Sequence, residues 1–90
     1  MLIRDNKQVY EAFGQWIRDA RERQQLYQYE VAEKMGITQS YYHYIEIGKR
    51  KLSLPMAMNV CSVLGLDLND FVRMLGRRKP KIIRPEAKEE

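Results

Sequence analysis

The stretch Gln28–Gly48, QYEVAEKMGITQSYYHYIEIG, decides the fold. It divides at Gly36, the residue type that enters a left-handed turn without steric cost, and Thr38 follows where an N-cap hydroxyl would take up an orphan backbone N–H. Val31, Ala32 and Met35 share one side of a helix predicted from Gln28 to Gly36, and Ala32 is small enough to admit a neighbouring helix. From Gln39, at about 100° per residue, Gln39, Ser40, His43, Tyr44 and Ile47 fall within an arc of about 140°, while Tyr41, Tyr42 and Ile45 point the other way. Two short helices across a glycine turn, the second with a polar outward arc, form a helix-turn-helix, whose second helix normally lies in the major groove of DNA.

Outward from this centre the pattern stays helical. Asp5 and Gln8 have the spacing of a capping box, and Val9, Phe13, Trp16, Ile17 and Ala20 then recur at helical intervals, predicting a first helix over about residues 6–24. Its late Arg18, Arg21 and Arg23 complement the helix dipole. After Gly48 comes an exposed basic loop, Lys49-Arg50-Lys51. Ser53 caps a fourth helix with Pro55 in its first turn and an apolar stripe of Leu54, Ala57, Val60, Cys61 and Leu64, ending at Gly65. Asp67 and Asp70 open a fifth, expected to end at Gly76. No strand-like alternation and no repeat is present, so residues 1–76 read as one all-α domain of five helices. Residues 77–90 read as a charged tail, either mobile or an extension of a dimer contact, with Ile82 and Ile83 its adjacent apolar pair.

Ninety residues suffice for one small core and exclude a two-domain arrangement. No apolar run approaches the roughly 20 residues of a membrane span, and the start MLIRDNKQVY lacks a hydrophobic signal region; the expected location is cytoplasmic, with no membrane contact. A lone Cys61 cannot form an internal disulfide, and with His43 as the single histidine no four-ligand zinc site can be built, so neither metal nor cofactor is expected. The net charge of +4 is uneven: residues 1–75 carry ten Lys/Arg against nine Asp/Glu, and the excess lies in the 49–51 loop and in Arg77, Arg78, Lys79, Lys81 and Arg84. Charge alone therefore argues weakly for a polyanionic partner, and position must carry the case.

Ile17, Arg21, Gln28-x-x-Val31-Ala32, Gly36, Thr38, Ile45-Glu46-x-Gly48-Lys49-Arg50 and Leu64-Gly65-Leu66, in this order and spacing, resemble the Xre and Cro-like phage-repressor helix-turn-helix family over about residues 8–75. The resemblance implies a lambda-repressor-like fold. It also implies that Gln28 touches a phosphate and braces the recognition helix, that Gln39, Ser40 and Tyr44 read base edges with His43 on their flank, and that Arg21 pairs with Glu46, joining helix 1 to helix 3. The chemistry suits those places: a Gln amide pairs bidentately with adenine N6 and N7, Ser is permissive, and Tyr donates to an acceptor or packs on a thymine methyl. Three positions depart from the family pattern. Tyr27 stands where a Ser or Thr cap is common, so the second helix is expected to start on water or its own backbone; Ile47 replaces a polar residue; Tyr44 is bulkier than usual.

The tyrosines at 27, 29, 41, 42 and 44 suggest a stacking surface for unpaired bases, but Tyr42 lies on the inner arc and Tyr41 at its edge, where core packing competes. Tyr27, Tyr29 and Tyr44 suit hydroxyl contacts to duplex phosphates or bases, with protein contact as the alternative. Lys49, Arg50 and Lys51, merely solvated in another setting, are expected with Gln28, Tyr29 and Thr38 to meet phosphates. Neither paired carboxylates, a nucleophile with its base, nor a glycine-rich phosphate loop appears, so an enzyme is not expected.

The expected function is a sequence-specific regulator, a repressor, on double-stranded DNA. Half-sites of a pseudo-palindromic operator lie about 34 Å apart, which a chain of this size bridges only as a homodimer. Leu68, Phe71, Val72, Met74 and Leu75 exceed what one short helix buries and are assigned to that dimer contact. The alternative is a protein-interaction module or antitoxin-type adaptor on the same scaffold. A regulatory protein partner fits either reading.

Overall fold

A computed structural model describes residues 6–78, and the side chains of residues 6–76. Five helices follow one another: α1 (Asn6–Arg23), α2 (Gln28–Met35), α3 (Gln39–Glu46), α4 (Leu54–Leu64) and α5 (Leu68–Arg78), with no strand among the described residues. The expected Asp5 cap and the tail from residue 79 lie outside the described residues.

Local chemistry accounts for most helix ends. Gly36 closes α2 in the left-handed region at φ +79°, and the Ile37 N–H returns to the Ala32 carbonyl at 3.0 Å. Thr38 Oγ1 accepts the Tyr41 N–H at 3.1 Å, and Ser53 Oγ accepts the Met56 N–H at 3.2 Å. The start of α2 rests on its own backbone, the Glu30 and Val31 N–H groups both going to the Tyr27 carbonyl, and the Glu30 carboxylate adds half of a capping box by reaching back to accept the Tyr27 N–H at 2.8 Å. The end of α5 differs from expectation: the helix passes through Gly76 to Arg78, since Gly76 does not take the positive φ that would stop it.

The apolar stripes converge on one core, with Ile17, Val31, Tyr42 and Val60 fully enclosed. Phe13, Trp16 and Phe71 form an aromatic cluster at its α5 end, Phe13 meeting Phe71 edge-on at 5.2 Å between centroids. This corrects the assignment of Phe71 to a dimer contact: the ring is buried in its own chain. Leu68, Met74 and Leu75 are half-buried against the same core, and Val72 is exposed.

The crossing of α1 over α3 is a backbone-to-backbone contact. At Gly14 the backbones of α1 and α3 touch: an added Cβ would lie 2.5 Å from the Ile45 carbonyl oxygen and closer still to that of Glu46. Gly48, at φ +76°, is held as tightly on the other side of this crossing, where a Cβ would lie 2.7 Å from Glu11 Cα.

Candidate nucleic-acid interface

The amino end of α2 and the whole outward arc of α3 meet on one face. Gln39, Ser40, His43, Tyr44 and Ile47 are all exposed, whereas Tyr42 and Ile45 are buried behind them. Gln28, Gln39, Ser40, His43 and Tyr44 line one shallow hollow of about 230 Å³. Its polar side chains leave donors and acceptors turned to solvent, which suits a polar ligand edge.

Beneath the hollow lies a charged hub. Arg21 Nε donates to Glu46 Oε2 at 2.6 Å and Nη2 to Oε1 at 3.2 Å, while Nη1 holds the Leu26 carbonyl at 2.7 Å. The Glu46 side chain is only 1% exposed, so the pair is deeper than a surface bridge. Burial pushes the Glu46 carboxyl up, but the Arg21 hydrogen bonds, with the neighbouring Tyr42 hydroxyl and the Gln28 amide, outweigh it and hold the group below the usual carboxylate range. Burial, reinforced by the Glu46 carboxylate, raises Tyr42 in turn and keeps its phenol neutral. The Tyr42 hydroxyl is buried beside the carboxylate without a well-formed hydrogen bond of its own.

Gln28 joins this hub. Its Nε2 donates to Glu46 Oε1 at 2.9 Å and lies 3.3 Å from His43 Nδ1. The amide is thus turned inward, and the side chain has only its carbonyl oxygen to offer outside, which a phosphate repels. What the start of α2 presents to an anion is backbone: the Gln28 and Tyr29 N–H groups are unspent in the first turn, the Glu30 and Val31 N–H groups both going to the Tyr27 carbonyl. Tyr29 stands beside them, 53% exposed, with its ring stacked on Tyr27 at 5.6 Å.

On the opposite flank Lys49, Arg50 and Lys51 are exposed, and the Arg50 guanidinium rests over the Tyr41 ring at 4.5 Å from its centroid. Tyr41, half-buried, therefore fixes a cation of the basic loop rather than offering a free stacking face. Sequence reasoning missed this pairing, the Gly14 crossing and the Gln28–His43 contact. Among the described residues no group of His, Cys, Asp and Glu side chains is placed to hold a metal, and no helix is long and apolar enough to cross a membrane.

This geometry has known counterparts. The family model described as Helix-turn-helix matches residues 17–71. A protein of Bacillus subtilis (strain 168) described as the uncharacterized HTH-type transcriptional regulator YqaE is 28% identical over 76 residues, 84% of this chain; the chain spans 64% of that relative's length. The restriction-modification controller protein C.AhdI from Aeromonas hydrophila superposes with a TM-score of 0.69 at 26% identity, covering 76% of this chain and 99% of the other. The clp gene regulator ClgR from Corynebacterium glutamicum does so with a TM-score of 0.71 at 25% identity, covering 77% and 73%. The architecture is the all-α, lambda-repressor-like one of these regulators.

Proposed function

Because the chain belongs to the helix-turn-helix family, we propose that it is a transcriptional regulator, a repressor that binds a pseudo-palindromic operator in double-stranded DNA as a cytoplasmic homodimer. The observation that carries this reading is the α3 arc, wholly exposed yet fixed from behind by the Arg21–Glu46–Gln28 hub. A rod held this way enters a major groove with its backbone already placed, so little backbone ordering entropy is lost on binding.

Gln39, Ser40 and Tyr44 read base edges with His43 beside them. The Gln28 and Tyr29 backbone N–H groups, the Tyr29 and Thr38 hydroxyls and the 49–51 loop take phosphates on either side. Exposed Val72, flanked by the half-buried Leu68, Met74 and Leu75, supplies the dimer contact from α5. The regulator descriptions of YqaE, C.AhdI and ClgR support the functional class.

The test is affinity for a selected duplex against random duplex at two salt concentrations. A regulator shows specificity and a steep salt slope; a protein-interaction module, the reading that exposed Tyr44 and Ile47 would favour, shows neither. Sedimentation without DNA at tens of micromolar is expected to give a dimer, and a monomer there removes the homodimer from the proposal.

A further inference from the structure

The hub decides the chemistry of one side chain that the groove would meet. Glu46, ionised and bonded by Arg21, can only accept hydrogen bonds, so the Gln28 amide must turn its NH2 group, not its carbonyl, toward Oε1. The same Nε2 lies 3.3 Å from His43 Nδ1, and since an NH2 group can only donate, its second hydrogen is the one left for that contact. A nitrogen that accepts cannot carry the ring proton, so in neutral imidazole the proton sits on Nε2. His43 is exposed and lines the hollow with Gln39, Ser40 and Tyr44, leaving Nε2 as the ring nitrogen available to a ligand.

We propose that the Arg21–Glu46–Gln28 chain makes His43 a donor-only specificity residue, whose Nε2–H selects a base edge carrying an acceptor in the major groove. The acceptors there are guanine N7 and O6, adenine N7 and thymine O4, whereas cytosine offers the N4 donor and is rejected. Gln28 and Glu46 are positioning residues in this scheme and touch no base. The inference rests on the reading of α3 as a groove-binding helix, and its first test does not need DNA.

In the free protein at pH 8, long-range ¹H–¹⁵N spectra are expected to show one tautomer of His43, with a pyridine-like Nδ1 and a protonated Nε2. In Gln28→Leu both nitrogen shifts should move toward averaged values. A protonated Nδ1 in the natural protein, or unchanged shifts in Gln28→Leu, overturns the relay. The second test uses a selected duplex in which each groove acceptor at the base pair relaxed by His43→Ala is removed in turn: N7 with 7-deazapurines, O6 with 2-aminopurine, O4 with 5-methyl-2-pyrimidinone. One such removal should weaken the natural protein about tenfold and leave His43→Ala unmoved, a size typical of a single lost base contact. If none does so, or if both proteins weaken alike, the donor assignment is wrong. A chain that selects no duplex overturns the regulator reading and the base-reading role of His43 with it, while the spectra still judge the relay by itself.

Discussion

Gly14→Ala separates backbone crowding from helix propensity. An alanine is the better helix former by about 1 kcal/mol, so a helix considered alone would gain from the change. Here the new methyl would stand 2.5 Å from the Ile45 carbonyl oxygen and 2.7 Å from the Glu46 carbonyl carbon, against ordinary contacts of 3.4 Å or more. Both obstacles are main chain, so no rotamer change relieves them, and α1 and α3 must part by about 1 Å in a close-packed interior. Overpacking of this kind costs about 1–3 kcal/mol, and a backbone clash belongs at the upper end; after the propensity gain the net loss is about 2 kcal/mol. For a domain of this size that lowers Tm by about 8–16 °C. Gly76→Ala is the matched control, because it is also helical and its Cβ meets nothing within 4 Å. Circular dichroism melts at 222 nm should show Gly14→Ala falling and Gly76→Ala unchanged or rising. Equal shifts in the two variants would refute the claim that close approach, not propensity, holds the glycine at position 14.

Glu46→Leu strands the Arg21 guanidinium at a site where its side chain is 11% exposed, and should cost about 3 kcal/mol in urea denaturation. A loss below about 1 kcal/mol would mean the hub contributes little. The depressed Glu46 pKa sets a sign for acid: the folded state binds this proton less readily than the unfolded chain, so its stabilising share is complete above the unfolded value near 4.3 and disappears as pH falls through the lower folded value. Melts between about pH 5 and pH 2 should therefore fall more steeply in the natural protein than in Glu46→Gln, and parallel curves would contradict the assignment. Gln39→Ala should relax preference at one base position at a cost of about 1–3 kcal/mol; an unchanged preference in a selection experiment counts against the reading head. Arg50→Ala should weaken all duplexes about equally and reduce the salt slope by about 1, whereas a sequence-dependent loss would place Arg50 among the base readers.

The helices were legible because their signals are local. Gly36, Thr38 and Ser53 act within four residues of their own position, and the alternation of Tyr42 and Ile45 with Gln39 and His43 needs only the helical repeat. What could not be read depends on distances between helices. Nothing in the composition of α1 says that Gly14 lies under the α3 carbonyls, because that is set by where two cylinders cross. Phe71 was misassigned for the same reason: its partners, Phe13 and Trp16, lie more than fifty residues away in sequence. Gly76 misled in the other direction, since a glycine ends a helix only when the chain takes a positive φ, and here it does not. At the candidate site the outward arc was visible in advance, while the inward turn of the Gln28 amide follows from Glu46, which that arc does not contain.

The outward residues of α3 and the hub behind them differ in what evolution can do with them. Gln39, Ser40 and Tyr44 are exposed and lie outside the core, so exchanging them costs folding little, about 0.5 kcal/mol for an ordinary surface position, whereas Glu46, two residues beyond Tyr44, is tied to two other helices. If that arc reads bases as proposed, the molecule can be given a new address without being rebuilt. His43 straddles the division, because it stands on the arc and lies 3.3 Å from the Gln28 amide of the hub.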